Sequence, residues 1–153
     1  MTGTHPARWV AMRLLRAFFA GFLSTLVFHQ GMLALLHALR ISPRAPFAVE
    51  LTRPFGVPQV ISLAFWGGIW GIVLVLLLAR RGSFAGFLVK SVVFGALAPT
   101  LVAWLVVAPL KHQAIGGGKA GALATGLLVN GAWGLGTALL FGLFGGRTRR
   151  LLL

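Results

Sequence analysis

Pro58 to Arg81 reads PQVISLAFWGGIWGIVLVLLLARR. From Pro58 to Ala79 that is 22 residues without one ionisable side chain, closed by Arg80 and Arg81. As an α-helix the run is about 33 Å long at a rise of about 1.5 Å per residue. The hydrocarbon core of a bilayer is about 30 Å thick. In hydrocarbon every backbone N–H and C=O must be satisfied within the segment, which selects a helix. Barrel strands would be about half as long and would alternate in polarity. Pro58 suits the first turn, where its missing N–H would have had no helical partner. The run reads as a transmembrane helix.

Three more runs are of similar length and predominantly apolar: Ala17 to Leu39, Phe84 to Ala108 and Ala120 to Phe144. The expected fold is all-α: a polytopic membrane protein with four transmembrane helices over about 17–39, 58–79, 84–108 and 120–144, in a single transmembrane domain spanning 1–153. Composition agrees, with 58% hydrophobic and 10% charged residues, where soluble domains sit near half apolar and a quarter charged. Arg8, Arg13 and Arg16 precede the first run, as in a signal peptide. That run is too long for a signal h-region and has no small-x-small cleavage site after it, so it reads as a retained helix.

Fourteen Lys and Arg stand against one acid, Glu50, for a net charge of +13. Such a balance raises nucleic acid as a partner. Here the basic residues cluster at the ends of apolar runs, where anionic lipid headgroups lie. Membrane lipids are therefore the expected partner, and nucleic acid is not. With the N-terminus inside, Arg8, Arg13, Arg16, Arg80, Arg81, Lys90, Arg147, Arg149 and Arg150 are internal. Arg40, Arg44, Arg53, Lys111 and Lys119 are external. The positive-inside rule favours both termini in the cytoplasm. Eleven of the fourteen basic residues are Arg, which fits a GC-rich bacterial genome. No Cys is present, which excludes disulfides, thiolate metal sites and Cys nucleophiles.

The longest connection, Ile41 to Val57, reads ISPRAPFAVELTRPFGV. Its three prolines restrict their own φ and their predecessors, so a semi-rigid loop is expected. Glu50 is expected to pair with Arg44 or Arg53, a surface contact worth at most about 1 kcal/mol.

The chain also matches itself. RAFFAGFL at Arg16–Leu23 and RGSFAGFL at Arg81–Leu88 share six of eight positions at an offset of 65. Gly68-Ile69-Trp70-Gly71 aligns with Gly131-Ala132-Trp133-Gly134 at an offset of 63. Order and spacing point to two tandem helical hairpins related as a parallel repeat, with a pseudo-two-fold along the membrane normal. That places Phe19 on Phe84 and Trp70 on Trp133.

Chemistry is sparse. The first helix holds His29, Gln30 and His37. Polar groups within a span usually face other helices or water, so they are either interhelical hydrogen bonds or a polar or ligand site. Bis-His haem needs two facing imidazoles; His29 and His37 are eight residues apart on different faces, so no cofactor is expected. Gly67 and Gly71 on the second helix, and Gly126, Asn130 and Gly134 on the fourth, form small-residue stripes suited to close helix packing. Trp66, Trp70 and Trp133 fall well inside their spans and border glycines. Each either fills the groove that glycine leaves or lines a pocket for a flat apolar ligand. Pro99, mid-span, should kink the third helix, and Pro109 should end it. Gly116-Gly117-Gly118 lacks the spacing of a phosphate loop.

The run FHQGMLALLHA (Phe28–Ala38), followed by PFGVPQVISLAFWGGIWG (Pro54–Gly71), resembles small hypothetical inner-membrane proteins of proteobacteria. The resemblance covers most of the chain. It implies a bacterial inner membrane and this topology, and it carries over no functional residues.

No Ser-His-Asp set, paired carboxylates, HExxH or dinucleotide fingerprint is present, and one acid leaves few general acid–base options. The expected function is non-enzymatic. The chain would act by helix association, as a homo-oligomer or as an accessory subunit of a larger membrane complex. The alternative is a small transporter or channel with a polar path near His29, Gln30 and Asn130.

Overall fold

The computed structural model describes residues 6–79, 82–114 and 120–145. Four helices form the described body: α1 Ala7–Ala38, α2 Gln59–Leu78, α3 Phe84–Leu110 and α4 Ala120–Leu143. Each is long and apolar enough to cross a membrane. Two of them, α2 and α4, keep the expected limits to within a residue. The first starts ten residues earlier than the apolar run, because the lead from Ala7 to Arg16 is rich in strong helix formers. Pro109 does not end α3. A π-helical turn at Ala103–Val107 shifts the hydrogen-bond register just before it, and the helix continues to Leu110. Pro99 likewise sits inside an unbroken α-helical stretch, Phe84–Val102. A second π-helical turn, Thr25–His29, interrupts α1.

Packing follows a ring order. Helix α1 packs along both α2 and α4, α3 packs along α4, and α2 and α3 touch only slightly. The main core gathers Ala17, Ala20, Leu74, Val75, Phe87, Trp133, Ala138 and Phe141. Residues from all four helices meet there, near the end that carries Arg13 and Arg16. A smaller cluster of Leu33, Leu36 and Val129 joins α1 to α4 near the other end.

The arginine end is tied by backbone capping. Arg13 donates to the carbonyls of Ala79, at 3.0 Å, and Val75, at 3.5 Å, at the C-terminus of α2. Arg16 donates to the Gly145 carbonyl, at 3.4 Å, just past α4. Both place a guanidinium at the negative end of a helix dipole. At the opposite end, β1 Leu51–Thr52 and β2 Val57–Pro58 form a short antiparallel hairpin, pairing Leu51 with Pro58 and Thr52 with Val57. Gly56 turns it with φ +63°. The segment also caps α2: the N–H groups of Gln59 and Val60 donate to the carbonyls of Glu50 and Ala48, each at 2.9 Å. Among the described residues Glu50 pairs with neither Arg44 nor Arg53. Exposed charges gain little from pairing, and its backbone is already committed to the hairpin.

The two hairpins contain the same crossing. In α1–α2, a Cβ on Gly71 would lie 2.5 Å from the Ala17 carbonyl oxygen and 3.0 Å from the Gly21 Cα. In α3–α4, a Cβ on Gly134 would run into the Ser91 carbonyl and lie 3.2 Å from the Gly95 Cα. Gly68 faces Phe18, while Gly131 faces Ala96 and Val92 at ordinary contact distance. Gly71 and Gly134 thus make similar close contacts, 63 positions apart. The first helices correspond at 74, since Ala17 matches Ser91 and Gly21 matches Gly95. The crossing is set by where backbones can approach, and the phenylalanine-rich octapeptides at offset 65 do not take part equally in it.

Candidate functional site

Gly21 is the point where three helices meet. A Cβ there would run into the Gly67 carbonyl and come within 3.0 Å of the Gly71 Cα. Only a missing side chain permits this approach. The Gly21 carbonyl accepts from the Trp133 Nε1–H of α4 and from the Thr25 hydroxyl, each at 3.0 Å. The Ser24 hydroxyl donates to the Trp133 carbonyl at 2.7 Å, and the Thr137 hydroxyl donates to the same oxygen at 2.8 Å. Ser24, Thr25, Trp133 and Thr137 are all buried. This polar cluster is closed on itself, with the Trp133 indole hydrogen-bonded to the Gly21 carbonyl.

A second cluster joins α3 to α4. The Asn130 amide donates to the Thr100 hydroxyl at 2.8 Å, and that hydroxyl donates to the Gly126 carbonyl at 3.3 Å. Gly126 sits under Trp104, with ordinary contact distances from 3.4 Å. Of the buried side-chain atoms described, only the Ser91 hydroxyl has no partner. The expected packing residues Gly67, Gly71 and Gly134 thus lie at contacts within the bundle, and Gly126 and Asn130 lie at the same α3–α4 seam.

The first-helix residues separate into two sites. Gln30 is buried, and its Oε1 accepts from the Phe47 N–H at 2.6 Å, fastening the long connection to α1. Its Nε2 lies 3.4 Å from His29 Nδ1, a weak contact. His37 is exposed, and its Nδ1 donates to the Ser42 carbonyl at 3.2 Å. Asn130 is turned to α3, while its neighbour Val129 packs on Leu33 and Leu36 of α1. The structure therefore does not bring His29, Gln30 and Asn130 to one path by any hydrogen bond.

The three tryptophans also divide. Trp133 is buried at 2% exposure, and Trp66 is 58% exposed. Trp70 is half-buried and packs edge-on against Phe94, with centroids 6.0 Å apart. They do not line one pocket. Sequence reasoning passed over Gly21, Gly95, Ser24 and Thr100. The signal was available in Ala17-xxx-Gly21 and Ser91-xxx-Gly95, two small-xxx-small pairs that face the ones singled out.

No family model, no curated protein and no solved structure matches the chain. Its chemistry rests on its own residues.

Proposed function

We propose that the chain is a multi-pass protein of a bacterial inner membrane, with both termini cytoplasmic, and that it works by association rather than catalysis. It would be an oligomer or an accessory subunit of a larger membrane complex, built from a duplicated helical hairpin. The observation that carries this reading is where polarity lies. Apart from the Ser91 hydroxyl, the buried polar side chains between helices are satisfied inside the bundle, mostly by backbone carbonyls at the crossings, whereas the outward faces are apolar. Along α3, Val89, Val93, Leu97, Leu101 and Leu105 recur every four residues and are all exposed. Such a ridge suits lipid or another helix. Gly67, Gly71 and Gly134 are used inside the bundle, so an intersubunit contact would fall on these aliphatic faces instead.

Purification of the intact chain in a mild detergent, with measurement of the particle mass and of co-purifying proteins, tests the reading. A mass above one chain, or a stoichiometric membrane subunit, supports it. A monomer without a partner that drives solute flux in liposomes, with flux lost on His29→Leu, refutes it in favour of transport.

A further inference from the structure

The four helices do not end level on the side of the long connection. At one height of the bundle Gly21 of α1 meets Gly67 of α2, Gly95 of α3 meets Gly134 of α4, and Trp133 of α4 donates to Gly21. From that height α1 runs 17 residues on to Ala38, α3 runs 15 on to Leu110, and α4 runs 14 back to Ala120. At a rise of about 1.5 Å per residue these lengths are about 21–26 Å. From Gly67, α2 runs only 8 residues back to Gln59, about 12 Å. The connection fills the missing length. Its Phe47 N–H donates to Gln30, which lies 8 residues back from the end of α1, again about 12 Å. The chain therefore leaves α1 at Ala38 and turns back along it toward the middle of the bundle before it enters α2.

What this segment exposes is unlike a loop in water. Phe47, Val49, Leu51 and Phe55 are all exposed, Phe55 at 86%. At the same height and above it, α1 exposes Leu35 and Leu39, and α3 exposes Leu105 and Val106. The apolar belt of the bundle thus runs past the start of α2, and the connection's own apolar side chains continue it there. Its backbone suits a place with little water. Pro43, Pro46, Pro54 and Pro58 have no N–H to satisfy. The N–H groups of Ile41, Ser42, Arg44, Phe47 and Gly56 are hydrogen-bonded within the chain, as a membrane requires. Arg44, Glu50 and Arg53 are exposed in the same segment. Charges are costly in hydrocarbon, so they set its depth at the headgroups.

We propose that the connection over 41–58 is a re-entrant segment seated at the headgroup–acyl boundary of the leaflet on its side, with bilayer lipid as its partner. The proposal rests on the membrane reading above. Phe47, Val49, Leu51 and Phe55 reach the first acyl carbons, as the apolar face of an interfacial segment does. Two arginines against one carboxylate complement the phosphate layer. The segment completes the apolar belt above the short α2, where a loop standing in water would leave a polar notch beside α1. Water still reaches headgroup depth, so impermeant reagents arrive at the segment from that side.

Nitroxide spin labels on single cysteines of the full chain in liposomes test this, since the sequence has no cysteine of its own. Leu51→Cys and Phe55→Cys read the segment. Val93→Cys, exposed on α3 close to the crossing, is the lipid reference. Gln113→Cys, exposed beyond the end of α3, is the aqueous reference. Oxygen concentrates in lipid and the chelate nickel(II) ethylenediaminediacetate in water, so the ratio of their collision rates with the label reports depth. At positions 51 and 55 the ratio should lie above the Gln113 value and below the Val93 value. A ratio equal to that at Gln113 puts the segment in water and overturns the proposal. Protection from both reagents means that protein, such as a second copy of the chain, covers the segment, and this also overturns it. If the label at Val93 itself reads as aqueous, the membrane reading fails, an outcome distinct from a wet connection on inserted helices.

Discussion

Gly21→Ala should be among the most damaging single-methyl additions in the chain. The new Cβ would fall on the Gly67 carbonyl and within 3.0 Å of the Gly71 Cα, where ordinary contacts lie at 3.4–4 Å. Both obstacles are backbone, so no rotamer relieves them, and α2 must withdraw from α1. Overpacking of this kind costs about 1–3 kcal/mol. Movement of Gly21 also stretches the bond from Trp133, worth about 0.6 kcal/mol within a membrane. The sum is about 2–4 kcal/mol. Gly31→Ala is the control: it lies on the same helix and has nothing within 4 Å. There alanine should be neutral, or should gain up to about 1 kcal/mol of helix propensity. Thermal unfolding in mild detergent, followed by the fluorescence of the five tryptophans, reads both. At about 2–4 °C per kcal/mol for a chain of this size, Gly21→Ala should melt about 4–16 °C below the parent, and Gly31→Ala at or above it. If Gly21→Ala melts with the parent, or if Gly31→Ala is equally harmful, the backbone-to-backbone crossing is not what holds α1 to α2.

Other outcomes follow from the same geometry. Gly71→Leu and Gly134→Leu should lower the melting temperature without changing particle mass, because both glycines face contacts within the bundle; loss of mass at unchanged melting would place those contacts between subunits. His29→Leu should leave assembly and melting nearly intact, whereas Gln30→Leu should free the Phe47 N–H and raise labelling of a cysteine placed at Ala45. In variants that keep a single tryptophan, brominated lipid should quench Trp66 strongly and Trp133 weakly, given their 58% and 2% exposure. A cysteine at the exposed Val49 should react with an impermeant reagent from the periplasmic side, and reaction only from the cytoplasmic side would reverse the orientation.

Much of this architecture was legible because hydrocarbon leaves the backbone few choices. Uncharged runs of some 20 residues with basic ends can hardly be anything but helices, and α2 and α4 keep the expected limits to within a residue. The errors fall where a local signal competes with another. Pro109 looks like a stop, but the π-helical turn before it changes the register. The lead into α1 looks like a flank, but Ala, Met, Leu and Arg continue the helix, and Arg13 and Arg16 find helix termini to cap. At the crossings, Gly67, Gly71 and Gly134 were readable from their stripes. Their partners Gly21 and Gly95 were hidden because each pairs with Ala17 or Ser91, a weaker pattern than glycine with glycine. The fastening of the long connection through Gln30 Oε1 to Phe47 could not be read at all, since it joins residues 17 apart with no periodic relation.

The two hairpins share an internal crossing, yet they do not dock symmetrically. A strict two-fold would copy the extensive α1–α4 contact onto α2 and α3, which touch only slightly. The matched positions explain the difference. On α1, Ala20 and Ser24 lie one turn apart and face α4, and both are fully buried. There Ser24 donates to the Trp133 carbonyl, and Trp133 donates back to Gly21. The positions matched at 74 on α3 are Phe94 and Ala98. Ala98 has no hydroxyl to offer Trp70, the residue matched to Trp133. Phe94 puts a ring where Ala20 has a methyl, and Trp70 meets that ring edge-on at 6.0 Å instead of reaching the Gly95 carbonyl. Where α1 presents Ala20 and Ser24, α3 has Phe94 and Ala98, and the contact is a ring on a ring instead of a pair of hydrogen bonds. The small residues that fix each crossing recur in both hairpins; the residues that join one hairpin to the other do not, and it is this second set that leaves α2 and α3 apart.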